Sequence, residues 1–406
     1  CDIEVRGRPE VAGLDGWRIS DMGSTTRTLR LAALGAVIAV ASIACGGTTE
    51  PSPASSTAIT DVAAATPVAA EPSSAPEIQA GFPTYKGNGG RTGEVAGPGP
   101  SAKPITLWTV KTQGPVGSSP AVVGEVAYVV AGDRHVLALD IATGAQRWSS
   151  EDANYTGTPT TAGGQVFVIA LDGSLAALDS TDGRVAWTTP SALMPSSTPV
   201  VVGDLVVAGG SDKALHAFDV RTGAESWAAA TGGNAPRAPS TDGSLVFIGG
   251  EDGVIHAITA TTGKVAWSHP TTAGRFQTTA VRDGVVYASG GLSDGTSELS
   301  ALDATTGDVR WRFTSPDKAF LRSPTVDATT VYIESEDHVY ALDRADASVR
   351  WVFDGASSEA APTVAGDTLY MITTDATLHA LDKTTGTGRW SLKLDAGVNV
   401  GTTVAD

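Results

Sequence analysis

His216, His256 and His379 stand in the phrases ALHAFD, VIHAIT and TLHALD. Imidazoles at one recurring position are the ligand type a zinc site uses. The same position holds Leu137, Ala176, Ser300 and Tyr340 in sister phrases, however. One slot repeated in successive units places side chains on separate sheets, so the metal reading gives way to a half-buried strand position that tolerates His or Tyr. His135, His269 and His338 have no companions at ligand spacing. Asp140, Asp179, Asp219, Asp303, Asp343 and Asp382 are phased turn residues rather than paired acids. No HExxH or nucleotide-binding glycine pattern occurs in the body of the chain, where Gly209-Gly210 and Gly249-Gly250 read as phased turns. The two cysteines are Cys1 and Cys45, which leaves residues 82–406 without a disulfide or a thiolate ligand. No catalytic, cofactor-binding or metal-ligating residue is expected, and no cofactor.

What carries these side chains is a repeat. Trp108, Trp148, Trp187, Trp227, Trp267, Trp311, Trp351 and Trp390 recur at intervals of 40, 39, 40, 40, 44, 40 and 39 residues. Seven of them close one phrase, as in ALDSTDGRVAW (177–187) and ALDKTTGTGRW (380–390). A period near 40 made of short apolar runs means one supersecondary unit stacked many times. Each unit reads as four strands: around Thr158–Thr161, Val166–Ala170, Leu175–Leu178 and Arg184–Thr188, turned at Gly163-Gly164, Asp172-Gly173 and Asp182-Gly183. No stretch after residue 100 has a 3.6-residue apolar period. The fold expected is all-β, a β-propeller with Trp148, Trp187, Trp227, Trp267, Trp311, Trp351 and Trp390 packed between blades. Seven blades are complete. Ile105–Val110 and Val398–Val404 supply the outer and inner strands of a partial eighth whose middle pair is missing, as in a gene fragment truncated at its C-terminus.

The repeat resembles the PQQ-like (pyrroloquinoline-quinone-type) propeller repeat, which is shared by quinoprotein alcohol dehydrogenases and by the β-barrel-assembly lipoprotein BamB. The lead-in Tyr85-Lys86-Gly87-Asn88-Gly89-Gly90-Arg91-Thr92-Gly93 is similar to the segment that precedes such propellers. The resemblance covers about residues 82–406 and implies an eight-bladed type. It is specific for fold and not for function. For the dehydrogenases it implies an adjacent Cys-Cys pair, a Ca²⁺ site of Glu, Asn and Asp, and a catalytic Asp; no adjacent cysteine pair exists here.

The N-terminal part is organised differently. Residues 1–21 read as upstream reading frame ahead of Met22. Residues 22–45 form a secretory signal: Arg27 and Arg30, the apolar run Leu31–Ala44, then small residues before Cys45. Those small residues resemble a lipobox, which implies lipidation of Cys45 and anchoring to a membrane. Residues 46–81, rich in Ser, Thr, Pro and Ala, read as a tether, and residues 82–406 as the propeller. The location expected is extracytoplasmic.

Function is expected where the units differ most. The slot before the inner-strand Ser/Thr-Pro holds Ser118, Gly157, Ser197, Arg237, Gln277, Arg322 and Ala360. Arg237, Arg275, Phe276, Gln277, Phe320 and Arg322 would form one basic, aromatic sector at the channel mouth, the residue types enriched where proteins bind. Residues 291–297 lengthen one hairpin of blade five. A net charge of −17, spread along the chain, argues against nucleic acid. The function expected is a monomeric, non-catalytic scaffold engaging a protein or peptide partner in BamB-like fashion. The alternative is a PQQ-dependent dehydrogenase-like enzyme with a degenerate site. A sensor domain is weakened because no kinase or spanning segment accompanies it.

Overall fold

The computed structural model describes residues 2–7, 37–42 and 81–405, except 96, 101, 113–115, 153, 236, 272, 293, 295, 356–360 and 395–402. Cys45 and the expected tether lie outside the described residues. Seven four-stranded antiparallel blades follow one another around a ring, with no helix among the described residues. Blade two is representative: Tyr155–Ala162 innermost, then Gln165–Ala170, Leu175–Asp179 and Val185–Thr189 at the edge. Its middle strands are buried almost throughout because neighbouring blades cover both faces. The outer strand alternates half-buried with exposed positions.

The Trp phrase is the joint between blades. Trp148, Trp187, Trp227, Trp267, Trp311 and Trp351 each donate their indole N–H to a backbone carbonyl of the next blade, at Ser180, Val220, Ala260, Ala304, Arg344 and Lys383. The accepting residue always follows the Asp of the next "ALD" phrase, or its Thr counterpart in blade four. The turn glycine of that next blade lies under the ring: a Cβ on Gly183 would approach Trp148 to 2.4 Å, and φ there is +77°. Only a residue without a Cβ admits both the left-handed backbone and the indole. Within blades, the Trp packs on an aromatic of the second strand, as Phe167 with Trp187 and Tyr332 with Trp351.

Two features depart from expectation. The insertion in blade five does lengthen a hairpin, Val285–Leu292 with Ser297–Asp303, but the extension also recruits Ala273–Phe276 as an added edge strand. Between blades seven and one lies a further four-stranded sheet. Ile105–Lys111, carrying Trp108, is its outer strand and Thr403–Ala405 its inner one. Its middle pair, expected to be missing, is made by Asp2–Gly7 and Val37–Ser42.

Candidate binding site at the channel mouth

Propeller inner strands line a central channel, and here one segment crosses it. Phe82 pairs with Val122 of blade one. Pro83 accepts from Thr161 N of blade two, Gly89 from Thr241 N of blade four, and Gly90 from Val281 N of blade five. Thr92 accepts from Val326 N of blade six and Gly93 from Val364 N of blade seven. The backbone N–H groups of the inner strands, which a bare channel would leave to water, are thereby satisfied. Two glycines make the approach possible: a Cβ would lie 2.6 Å from Val281 O at Gly90, and 2.6 Å from Thr325 Oγ1 at Gly93.

Arg91 pins this plug. It is fully buried and donates five bonds, to Pro239 O (3.1 Å), Thr84 Oγ1 (2.6 Å), Tyr85 O (2.7 Å), Thr198 O (3.1 Å) and Pro199 O (2.7 Å). All five acceptors are neutral, and burial pulls the guanidinium down to about 9. Lys86 is also buried and donates to Pro324 O. Burial pulls its ammonium down to about 7, against the opposing pull of Glu334, which is itself 0% exposed. Tyr85 is surrounded by protein yet partly open to solvent. Burial raises its phenol, its hydroxyl engages Ser323, and Arg91, Glu334 and Arg237 lie within electrostatic reach.

The expected mouth residues divide. Arg237 is exposed and makes no ion pair among the described residues, whereas Arg147, Arg310, Arg350 and Arg389 are each clasped 2.7 Å from an Asp of their own blade. Gln277, Phe320 and Arg322 are half-buried, and Phe320 lies over Gly291 of the lengthened hairpin. Arg275 pairs through its backbone with Gly291, and its side chain lies outside the description. Phe276 requires correction. It is 5% exposed and packs with Ile255, Ala288 and Leu302 over Gly249, so its ring belongs to the core between blades four and five. A recess of about 200 Å³ opens between blades one and two, lined by Ser118, Arg134, Tyr155 and Gly157.

The histidines stay apart on blades three, four and seven. His216 is held at both nitrogens, by Glu225 (2.7 Å) and Asp212 (3.0 Å). Burial lowers the imidazolium, but the two carboxylates outweigh it and hold His216 above its ordinary value. His256 engages Ser268, and His379 engages Thr373.

The family model described as "Outer membrane protein assembly factor BamB" matches residues 105–250, 215–294 and 251–405. The chain belongs to this PQQ-like β-propeller family. Among solved structures it is similar to BamB from Moraxella catarrhalis, at 20% identity and TM-score 0.57, covering 74% of this chain and 85% of that one. It is similar also to the quinohemoprotein alcohol dehydrogenase from Comamonas testosteroni, at 15% identity and TM-score 0.64, covering 79% and 74%. A europium-containing methanol dehydrogenase aligns at 15% identity and TM-score 0.65, covering 79% and 87%. At these identities the likeness is one of fold. A curated relative, the serine/threonine-protein kinase AfsK of Streptomyces griseus, is 31% identical over 128 residues, which is 29% of this chain and 15% of the kinase.

Among the described residues no three His, Cys, Asp or Glu side chains gather as metal ligands, and the sequence has no adjacent cysteines. The plug is what sequence reasoning missed. Its signal was the lead-in itself, where five glycines (Gly81, Gly87, Gly89, Gly90 and Gly93) flank two cations in a stretch outside the repeat.

Proposed function

We propose that the protein is a non-catalytic, extracytoplasmic binding module that presents the channel mouth to a protein or peptide partner. The observation that carries this reading is Arg237, exposed and without an ion pair among the described residues, on a ring whose inner strands are tied to the plug, with half-buried Gln277, Phe320 and Arg322 in the corresponding segments of blades five and six. A fixed scaffold with distinctive residues at one loop-bearing end is where binding resides. The family's description supports a protein partner, and a role in outer-membrane protein assembly is one version. The protein is proposed to act as a monomer, with no bound cofactor.

Lipidation at Cys45 would anchor the module, with 46–81 as tether. Signal processing removes Val37–Ser42, whereas the sheet between blades seven and one uses it, so the two readings of residues 1–45 exclude each other. Mass spectrometry of the mature N-terminus decides: a diacylated Cys45 supports the anchor, and an intact 2–42 segment overturns it.

The quinoprotein neighbours favour a second reading, an oxidoreductase on the same fold. A thermal-shift titration with pyrroloquinoline quinone plus Ca²⁺ separates the two. No saturable rise in melting temperature is expected of a scaffold; a saturable rise would contradict the non-catalytic reading.

A further inference from the structure

The segment Thr231–Ala235 joins the outer strand of blade three to the inner strand of blade four and leads into Arg237. It lies across two turns, each between the second and third strands of its blade. On the blade-three turn, Thr231 N–H donates to Lys213 O (2.8 Å) and Ala235 N–H to Gly210 O (3.1 Å). On the blade-four turn, Glu251 N–H donates to Asn234 O (2.9 Å) and Asn234 Nδ2 to Glu251 Oε2 (2.9 Å). Gly232 and Gly233 close on Asp252, where a Cβ would come within 2.3 and 2.4 Å of its atoms. Ser197 adds one bond, to Arg237 O (3.2 Å). The two turns are therefore the seat on which this approach to the mouth rests.

An imidazole stands beneath each turn. His216 presents Nε2 to Asp212 of the blade-three turn (3.0 Å) and Nδ1 to Glu225 of the outer strand (2.7 Å). A neutral imidazole has one N–H, so it would satisfy one carboxylate and turn a lone pair on the other; the imidazolium donates to both. The geometry is that of the charged ring, and the carboxylates hold it above its ordinary value. Blade two meets this turn with neutral groups: Ala192 O accepts from Ser211, and Leu193 bridges Gly210. Lys213 in the same turn is exposed. On blade four, His256 engages Ser268 through Nδ1 (3.0 Å). Its buried Nε2 has no hydrogen-bond partner among the described residues and lies 3.5 Å from Asp252 Oδ2, with Glu251 beside it in the turn. A proton on that nitrogen supplies the donor that Asp252 faces. His379 occupies the same slot in blade seven but meets Thr373, and burial lowers it.

We propose that His216 and His256 form a proton-operated lock on the mouth: protonated, they clamp the two turns that seat Thr231–Ala235, and deprotonated, they release the approach to Arg237. The proposal rests on the partner-binding reading and names a regulation of that site. The sign follows from His216. A histidine raised by its partners contributes its bonds fully below the ordinary 6.5, and the contribution is lost as pH rises through the higher folded-state value. Acid closes the lock, and alkali opens it.

The test is hydrogen–deuterium exchange of the full chain from about pH 5.5 to about 8.5, read as protection factors so that intrinsic exchange cancels. Protection of the 231–235 amides is expected to fall about tenfold as pH rises, the loss of one charge-assisted bond. The fall should vanish in the double variant His216→Gln/His256→Gln and persist in His379→Gln. Glu225→Gln, on a partly exposed side chain, should move its midpoint to lower pH without unfolding the blade. Protection that stays flat in the wild type overturns the lock. So does an undiminished fall in the double variant, or an unmoved midpoint in Glu225→Gln. No partner enters this measurement, so the lock can fail while docking at the mouth stands, and a mouth that captures no partner leaves the lock's exchange profile unchanged.

Discussion

Gly386 of blade seven lies against the indole of Trp351 in blade six: a Cβ built there would meet the ring at 2.7 Å, at a backbone φ of +72°. The same relation joins Gly144 to Trp108, Gly183 to Trp148, Gly223 to Trp187, Gly263 to Trp227 and Gly307 to Trp267. The "TG…W" phrase is therefore a contact between successive units, written once per blade. Gly386→Ala combines left-handed strain with displacement of the indole and should cost about 2–4 kcal/mol, read as a lowered urea midpoint. Blade six has Ala347 at this position, with φ of +62°. Ala347→Gly should change stability by less than about 1 kcal/mol, because relief of strain is offset by lost methyl packing and a freer unfolded chain.

The indole N–H bonds give a second prediction. Trp227→Phe leaves Ala260 O without its donor at 2.9 Å and should cost about 1–3 kcal/mol. Trp390 has a buried indole nitrogen without a hydrogen-bond partner among the described residues. Trp390→Phe removes an unsatisfied donor and should cost less than about 1 kcal/mol. Parallel denaturant titrations of the two variants check the difference.

Much of the fold was legible because its determinants are local and repeated. The Asp-Gly and Thr-Gly turns, the apolar runs and the Trp period each recur within about 40 residues. The plug was not legible as a plug, because its bonds span long separations: Lys86 meets Pro324 and Arg91 meets Pro239 with no periodicity to announce them. Phe276 was misplaced for a related reason. It adjoins the variable slot in sequence, but Gly249 on the preceding blade leaves the hole that its ring fills, and Gly249-Gly250 had read as a turn.

Arg91→Met strips the carbonyls of Thr198 and Pro239 of their donor and removes one donor from Pro199 O, which keeps Thr160 Oγ1 at 2.7 Å. It should cost about 3 kcal/mol or more. Arg91→Lys should rescue little, since a compact ammonium lacks the planar fork that reaches both blade three and blade four. Melting temperatures of the three proteins test this directly.

Lys86 makes stability depend on pH. Its folded-state value is about 7, below the ordinary 10.5, so burial disfavours the charged form. Below about pH 7 both folded and unfolded chains carry the proton and the cost is fully present. Between 7 and 10.5 the unfolded chain still binds a proton that the folded one has released, so stability rises with pH. Lys86→Met should lack this rise. Denaturation midpoints of both proteins from about pH 6 to 9.5, below the range where Tyr85 titrates, give the difference curve.

The account's central claim is that a partner docks at the mouth and not on the outer edge of the ring. The most direct test replaces Phe320, at the mouth, or Val265, 48% exposed on the outer strand of blade four, with a photo-cross-linking phenylalanine in living cells. One discrete adduct from position 320 and none from position 265 is the predicted result. Equal adducts from both positions, or none from 320, would contradict it.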